Sequence, residues 1–185
     1  QYFGFFEAML HQAFPDHKLV VRNLCWSADE TDLQPRPENF ADQDQHLTHE
    51  KVDVIFAAYG FNESFAGKEG LSDFRKKLSE YLIGVTSKAF NGKSTPQVIL
   101  VSPIANEDID GVAAGSMNNE RIRLYSNAMR DVAKENRVGF VDVYSATEKA
   151  MSSPGSDLTI NGCHLNEEGY SLFGETMFKR LFDAD

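Results

Sequence analysis

The chain has 185 residues, of which 42% are hydrophobic and 25% charged, and its formal net charge at pH 7 is −10. This size and composition predict a single globular domain over residues 1–185, with a sizeable core. The acidic balance argues against nucleic acid or an anionic membrane surface as a main partner, and no apolar run approaches the roughly 20 residues that a membrane-spanning helix needs.

The predicted elements begin with an amphipathic helix over Tyr2–Phe14, which Pro15 ends. This opening segment has no basic stretch of the kind that starts a secretory leader. Because a leader can be removed, the compartment stays open, and a secreted or periplasmic location is among the options. Apolar, β-branched residues predict a first strand over Leu19–Leu24. The polar, proline-containing stretch Pro35–Leu47 predicts a surface loop that leads into a short helix.

Strands and helices alternate through the rest of the chain. Further strands are predicted over Val52–Ala58, Gln97–Ser102 and Gly139–Val143. Apolar residues at helical spacing predict helices around Leu71–Val85 and Ile122–Val132, and a last one from about Glu167. Asp142 is placed to cap the helix that follows its strand. This alternation predicts an α/β fold with a mostly parallel sheet covered on both faces.

Ligands of such sheets bind outside the carboxyl ends of the strands. Two of the loops expected there carry side chains suited to acyl transfer. The Asn62 amide can donate to a developing oxyanion, and His164, before the last helix, can shuttle a proton. The alternatives are a turn-forming asparagine and a histidine that stabilises a helix start. The other histidines lie in contexts that favour structural roles; they are His11, His17, His46 and His49.

Three blocks of the sequence, NLCWSADE (23–30), GFNE (60–63) and NGCH (161–164), resemble in order and spacing the conserved blocks of SGNH or GDSL-type hydrolases. The resemblance implies a flavodoxin-like three-layer α/β/α sandwich and esterase or deacylase activity. It also implies roles for four residues: His164 as general base, Asn161 as the group that orients it, and the Asn62 amide and the Ala28 N–H as oxyanion donors.

The sequence departs from the family pattern at several of these positions. The family has aspartate where this chain has Glu63 and Asn161, and glycine where it has Cys25 and Ala28. Its nucleophilic serine lies in a Gly-Asp-Ser turn before the first helix, and this sequence has no Gly-Asp-Ser. We therefore expect the hydrolase domain to be N-terminally incomplete here, with the serine upstream of Gln1. Asp157 could replace Asn161, but a solvated loop acid is the favoured interpretation.

Cys25 and Cys163 fall in loops expected at the same rim of the sheet. They could be small space-filling residues, a disulfide, or the source of a reactive thiol beside His164. Adjacent residues in an extended loop usually point apart, so Cys163 is predicted to be a poor partner for His164 and Cys25 the better one. Trp26 either lines a sugar or acyl pocket or packs under its loop.

The main hypothesis is an SGNH/GDSL-like hydrolase domain, an esterase or deacetylase acting on small or carbohydrate esters, with no metal or cofactor. The alternative is a catalytically inactive domain of this fold that binds a glycan or a partner protein. Four departures favour that alternative: the missing Gly-Asp-Ser block and the residues at positions 28, 63 and 161. A flavin- or nucleotide-binding module is less favoured, because the chain has no glycine-rich phosphate loop.

Overall fold

A computed structural model describes residues 3–182 of the chain. The helices are α1 (Phe5–Ala13), α2 (Gln43–Glu50), α3 (Leu71–Thr86), α4 (Ala114–Asn136), α5 (Val143–Met151) and α6 (Glu167–Phe182), with a 3₁₀ turn at Glu63–Ala66. The strands are β1 (Val54–Ala58), β2 (Gln97–Val101), β3 (Asp108–Ile109), β4 (Val112–Ala113) and β5 (Gly139–Val141).

The described residues form two compact units. The first unit comprises residues 3–25, 104–123 and 141–182, and the second comprises residues 26–103 and 124–140. The single domain expected over residues 1–185 stays a prediction.

The main sheet has the strand order β1-β2-β5. β1 and β2 are parallel, and their register runs from Val54 opposite Gln97 to Ala58 opposite Val101. Parallel neighbours need a crossover connection, and α3 lies between these two strands in the chain. The predicted α/β fold, with a parallel sheet flanked by helices, is confirmed.

The core of the second unit lies against one face of this sheet. Alternate strand residues point into it because side chains alternate across a strand, and α3 and α4 add residues at three- and four-residue spacing. The buried members include Ile55, Ala57, Val98, Leu100, Phe74, Leu78, Leu82, Val85, Tyr125, Met129 and Val132. In the first unit, α1 packs on α6.

Most of the predicted elements are present. β1, β2 and β5 lie inside their predicted ranges, and α6 begins at Glu167 as expected. Asp142 caps α5, accepting a hydrogen bond from the Ser145 N–H at 2.9 Å, which confirms its predicted role. The first predicted helix is shorter than expected, and Tyr2, its predicted start, lies outside the described residues.

The prediction of a strand over Leu19–Leu24 is wrong. These residues belong to no strand, and Val20 is 69% exposed. An apolar, β-branched run forms a strand only where a neighbour pairs with its N–H and C=O groups. Within residues 3–182, no strand pairs with this segment.

None of the helices found between residues 3 and 182 is long and apolar enough to cross a membrane.

Candidate active site

His164 lies on a tightly closed loop between α5 and α6. Thr159 and Leu165 form an antiparallel bridge across its base, and the Ile160 N–H donates to the His164 carbonyl at 2.8 Å. Gly162, inside the loop, has a φ of +85°, and a Cβ there would lie 2.8 Å from the Ala114 Cβ. Only glycine suits this combination of backbone angle and space, so the tight turn of the loop before His164 depends on Gly162.

The Asn161 side chain is the hydrogen-bonding centre of this loop. Its Oδ1 accepts the backbone N–H of His164 at 3.0 Å and lies 3.0 Å from His164 Nδ1. An oxygen acceptor at that distance favours the tautomer with the proton on Nδ1. The other ring nitrogen, Nε2, is then unprotonated and able to accept a proton, and His164 is exposed to solvent.

Cys163 lies against the same imidazole, contrary to the prediction. Its Sγ is 3.2 Å from His164 Nδ1 and 3.5 Å from Asn161 Oδ1. The expectation that neighbouring side chains point apart fails because this loop is tightly turned and not extended. Burial raises the pKa of the Cys163 thiol, which favours the neutral thiol over the nucleophilic thiolate. The predicted disulfide alternative is also wrong, because Cys25 and Cys163 are both unbridged thiols.

A buried carboxylate, Glu107, anchors the segment before His164. Glu107 is 1% exposed. Its oxygens accept hydrogen bonds from the Ser156 hydroxyl at 2.5 Å, the Thr159 hydroxyl at 2.7 Å and the Leu158 N–H at 3.0 Å. Burial acts to raise the pKa of Glu107, but these hydrogen bonds outweigh it and the pKa is lowered. Glu107 is therefore held ionised under the loop.

Glu107 is not among the site residues predicted from the sequence. The sequence signal that could have identified Glu107 is its position, a carboxylate shortly after the buried strand β2. The Glu107 backbone also contributes, since its N–H donates to the Gly162 carbonyl at 2.8 Å. Asp157, by contrast, is an exposed loop acid whose carbonyl accepts from Asn166 Nδ2 at 2.9 Å, consistent with its favoured interpretation.

In the second unit, Asn62 is hydrogen-bonded to Asp29, the residue that follows Ala28. Ala28 lies in the turn from Trp26 to Asp29, closed by a 3.3 Å bond from the Asp29 N–H to the Trp26 carbonyl. The Asn62 amide donates to the Asp29 carbonyl at 3.4 Å. The Ala28 N–H donates to no acceptor within residues 3–182. The Asn62 amide and the Ala28 N–H are therefore brought near each other by the hydrogen bond to Asp29.

Ala28 itself has a φ of +66°. This left-handed conformation costs an alanine roughly 1–2 kcal/mol relative to ordinary backbone angles. Alanine is thus tolerated at a position whose geometry suits glycine, the residue that the family resemblance implies.

Glu63 joins this turn to the end of β1. Its carboxylate accepts the Gly60 N–H at 2.8 Å and the Thr31 N–H at 3.2 Å. Burial raises the pKa of Glu63, and the backbone hydrogen bonds oppose that shift. Gly60 is buried with a φ of +95°, a left-handed backbone angle that favours glycine.

The predicted site residues thus fall into two groups. His164 and Asn161 are in direct contact within the first unit, and Asn62 and Ala28 are linked through Asp29 within the second. Their catalytic roles stay predictions. In the part of the chain described, no group of three or more His, Cys, Asp or Glu side chains is arranged to hold a metal ion.

Comparison with solved structures gives the same fold. The LAE5 α/β hydrolase from the metagenome of Lake Arreo, Spain, superposes with a TM-score of 0.68 at 18% identity, covering 97% of this chain and 80% of that one. The acetyl xylan esterase AlAXEase superposes with a TM-score of 0.57 at 21% identity, covering 76% of this chain and 72% of that one.

Sequence comparison identifies the family. The GDSL esterase/lipase WDL1 of Oryza sativa subsp. japonica is 27% identical over 142 residues, covering 71% of this chain and 54% of the rice protein. The chain thus spans about half the length of this curated relative. The profile of the GDSL-like Lipase/Acylhydrolase family matches residues 1–172. The chain therefore belongs to the GDSL-like lipase/acylhydrolase family.

Proposed function

We propose that this hydrolase domain cleaves small esters by acyl transfer to a serine, with His164 as the general base. The observation that carries the proposal is the contact between Asn161 Oδ1 and His164 Nδ1, 3.0 Å apart. This contact leaves Nε2 as the proton acceptor. Asn161 orients the ring, and in this proposal the serine comes from residues outside 1–185.

The reaction follows from these roles. The serine Oγ attacks the ester carbonyl carbon while its proton passes to His164 Nε2. The carbonyl oxygen becomes an oxyanion, which the Asn62 amide and the Ala28 N–H stabilise; such a donor typically contributes about 2.7–4 kcal/mol. The C–O bond to the alcohol then breaks, and His164 returns its proton to the leaving oxygen. Water repeats the sequence on the acyl-serine and releases the acid.

We infer that the substrates are acetyl esters, including those on carbohydrates. AlAXEase, which shares the fold, is an acetyl xylan esterase. Because a shared fold does not by itself fix a function, the acetyl-ester class is part of this proposal. The net charge of −10 favours a neutral ester over an anionic one, because an acidic surface repels anions.

The test is turnover of p-nitrophenyl acetate by the full-length protein that carries this domain. Because a general base contributes typically 10²–10⁴-fold, we expect His164→Ala to lower kcat by roughly that factor. His49→Ala, an exposed histidine near the end of α2, is the matched control and should leave kcat unchanged. Equal turnover in His164→Ala and wild type would exclude the proposed base. A folded wild type that cleaves no short ester would favour the inactive, ligand-binding alternative.

A further inference from the structure

Two aromatic rings lie side by side on the surface of the second unit. Trp26 and Phe40 are each 44% exposed. Their ring centroids are 5.4 Å apart in an edge-to-face arrangement. Single exposed apolar residues are ordinary on protein surfaces, but adjoining exposed aromatic rings often mark a binding surface.

Arg36 lies over one ring of this aromatic pair. Its guanidinium carbon lies 4.9 Å from the centroid of the Trp26 ring. Both of its terminal nitrogens donate to the Asp29 carboxylate, each at 2.6 Å. The Arg36 and Asp29 side chains are only 18% and 13% exposed. Bidentate pairs of this kind have a defined geometry, so the guanidinium of Arg36 lies in a fixed orientation over the Trp26 ring.

Arg36 also lines an open polar groove of about 460 Å³. This volume is within the roughly 300–1,000 Å³ of small-molecule sites. Its lining includes Thr31, Gln34, Arg36, Asp42 and Gln43. The lining also includes Asp32 and Asp44, so the groove offers carboxylate and amide groups that can pair with the hydroxyl groups of a ligand. Arg36 is thus shared by an aromatic surface and a groove of hydrogen-bonding groups.

This surface is connected by hydrogen bonds to the proposed oxyanion donors. Asp29, which holds Arg36 through its carboxylate, accepts the Asn62 amide at its carbonyl, and it directly follows Ala28 in the chain. A ligand on Trp26 would therefore lie beside the turn that carries the Ala28 N–H.

We propose that Trp26, Phe40 and Arg36, with the adjoining polar groove, form a subsite for a neutral sugar chain that carries the ester. A pyranose has an apolar C–H face, which packs on the electron-rich face of an aromatic ring, and hydroxyl groups that pair with polar side chains. A fatty acyl chain would need an apolar lining instead. This inference rests on the proposed function and names the part of the substrate that this surface holds.

Trp26 is the single tryptophan of residues 1–185. When the protein carrying the domain is titrated with sugars, the part of the tryptophan fluorescence change that Trp26→Phe removes reports on this subsite. The probes are neutral xylo-, manno- and cello-oligosaccharides, with an anionic oligogalacturonide for comparison. We expect a saturable change in fluorescence with a neutral oligosaccharide and a weaker one, or none, with the anion. Phe40→Ala should raise the dissociation constant about tenfold, equivalent to ~1.4 kcal/mol.

Phe182→Ala is the matched control, because Phe182 is also 44% exposed and also contacts other aromatic rings. Its dissociation constant should equal that of the wild type. The subsite is excluded if no neutral oligosaccharide gives a saturable change, or if the two variants bind equally well. Sugar binding without hydrolysis of p-nitrophenyl acetate would support the subsite and contradict the proposed function. Hydrolysis without sugar binding would support the proposed function and exclude the subsite.

Discussion

Asn161 is the single residue whose chemistry limits the proposed reaction most. Its amide oxygen orients His164, but it carries no charge to stabilise the imidazolium that forms when the ring takes a proton. The aspartate that the family resemblance implies at this position would do both. The residue therefore fits a slow hydrolase or a binding domain that retains the loop geometry.

We predict that Asn161→Asp raises kcat on p-nitrophenyl acetate by about 10²-fold or more, since the reverse change in a serine triad costs about 10⁴-fold. Asn127→Asp makes the same change in net charge at an exposed position of α4, where Asn127 Oδ1 accepts from Arg130. That control should leave kcat unchanged. A similar kcat in all three proteins would show that position 161 does not act through His164.

Ala28 is strained by its left-handed backbone, and this strain gives a stability prediction. Ala28→Gly should raise the free energy of unfolding by up to about 1 kcal/mol, because the relief of roughly 1–2 kcal/mol of strain exceeds the added chain entropy of glycine. Urea titration measures this change. The same substitution at Ala146, inside α5, should lower the free energy of unfolding by about 0.5–1 kcal/mol. A loss of stability in both variants would show that the Ala28 backbone is not strained.

The loop between α5 and α6 is held in its conformation by hydrogen bonds to Glu107. Three of its hydrogen bonds reach residues 49 to 52 positions later in the chain. We predict that Glu107→Gln lowers the free energy of unfolding by about 1–3 kcal/mol, because an amide leaves one of the loop donors without an acceptor. Glu175→Gln, on the exposed face of α6, should change it by less than about 0.5 kcal/mol.

The pH dependence of this effect has a definite sign. The pKa of Glu107 is lowered in the folded protein from the ordinary value of 4.5. Its ionised form therefore stabilises the fold fully above that value, and this contribution is lost as the pH falls through the lowered pKa. The stability gap between wild type and Glu107→Gln should shrink in that acid range. If the difference in free energy of unfolding stayed constant down to a pH at which Glu107 is fully protonated, the charge of Glu107 would not contribute to stability.

Elements with a local apolar pattern could be predicted from the sequence. The helical spacing of Phe74, Leu78 and Leu82 indicated α3, and the run VIFAA indicated β1, because each pattern is complete within its own segment. Leu19–Leu24 has an equally good pattern, yet it forms no strand, since strand formation depends on a partner elsewhere in the chain.

The candidate site was predictable only in part, for the same reason. The NGCH block identified Asn161 and His164, whose contact spans three residues. Glu107 was missed because its bonds to the loop are long-range. The position predicted for Cys163 was wrong because it depends on how Gly162 turns the backbone.

For the whole molecule, the comparisons show the family, and the composition adds a strongly acidic balance. The GDSL-like profile spans residues 1–172, and the net charge is −10. The proposed mechanism requires that His164 activate a serine nucleophile, so its test needs the complete protein.

The most direct measurement is the intact mass of the full-length protein before and after reaction with a fluorophosphonate, which labels activated serines. We predict a single adduct, on a serine outside residues 1–185, and the loss of that adduct in His164→Ala but not in His49→Ala. A folded wild type that takes up no label, or a label that His164→Ala leaves unchanged, would contradict the claim that His164 activates a serine.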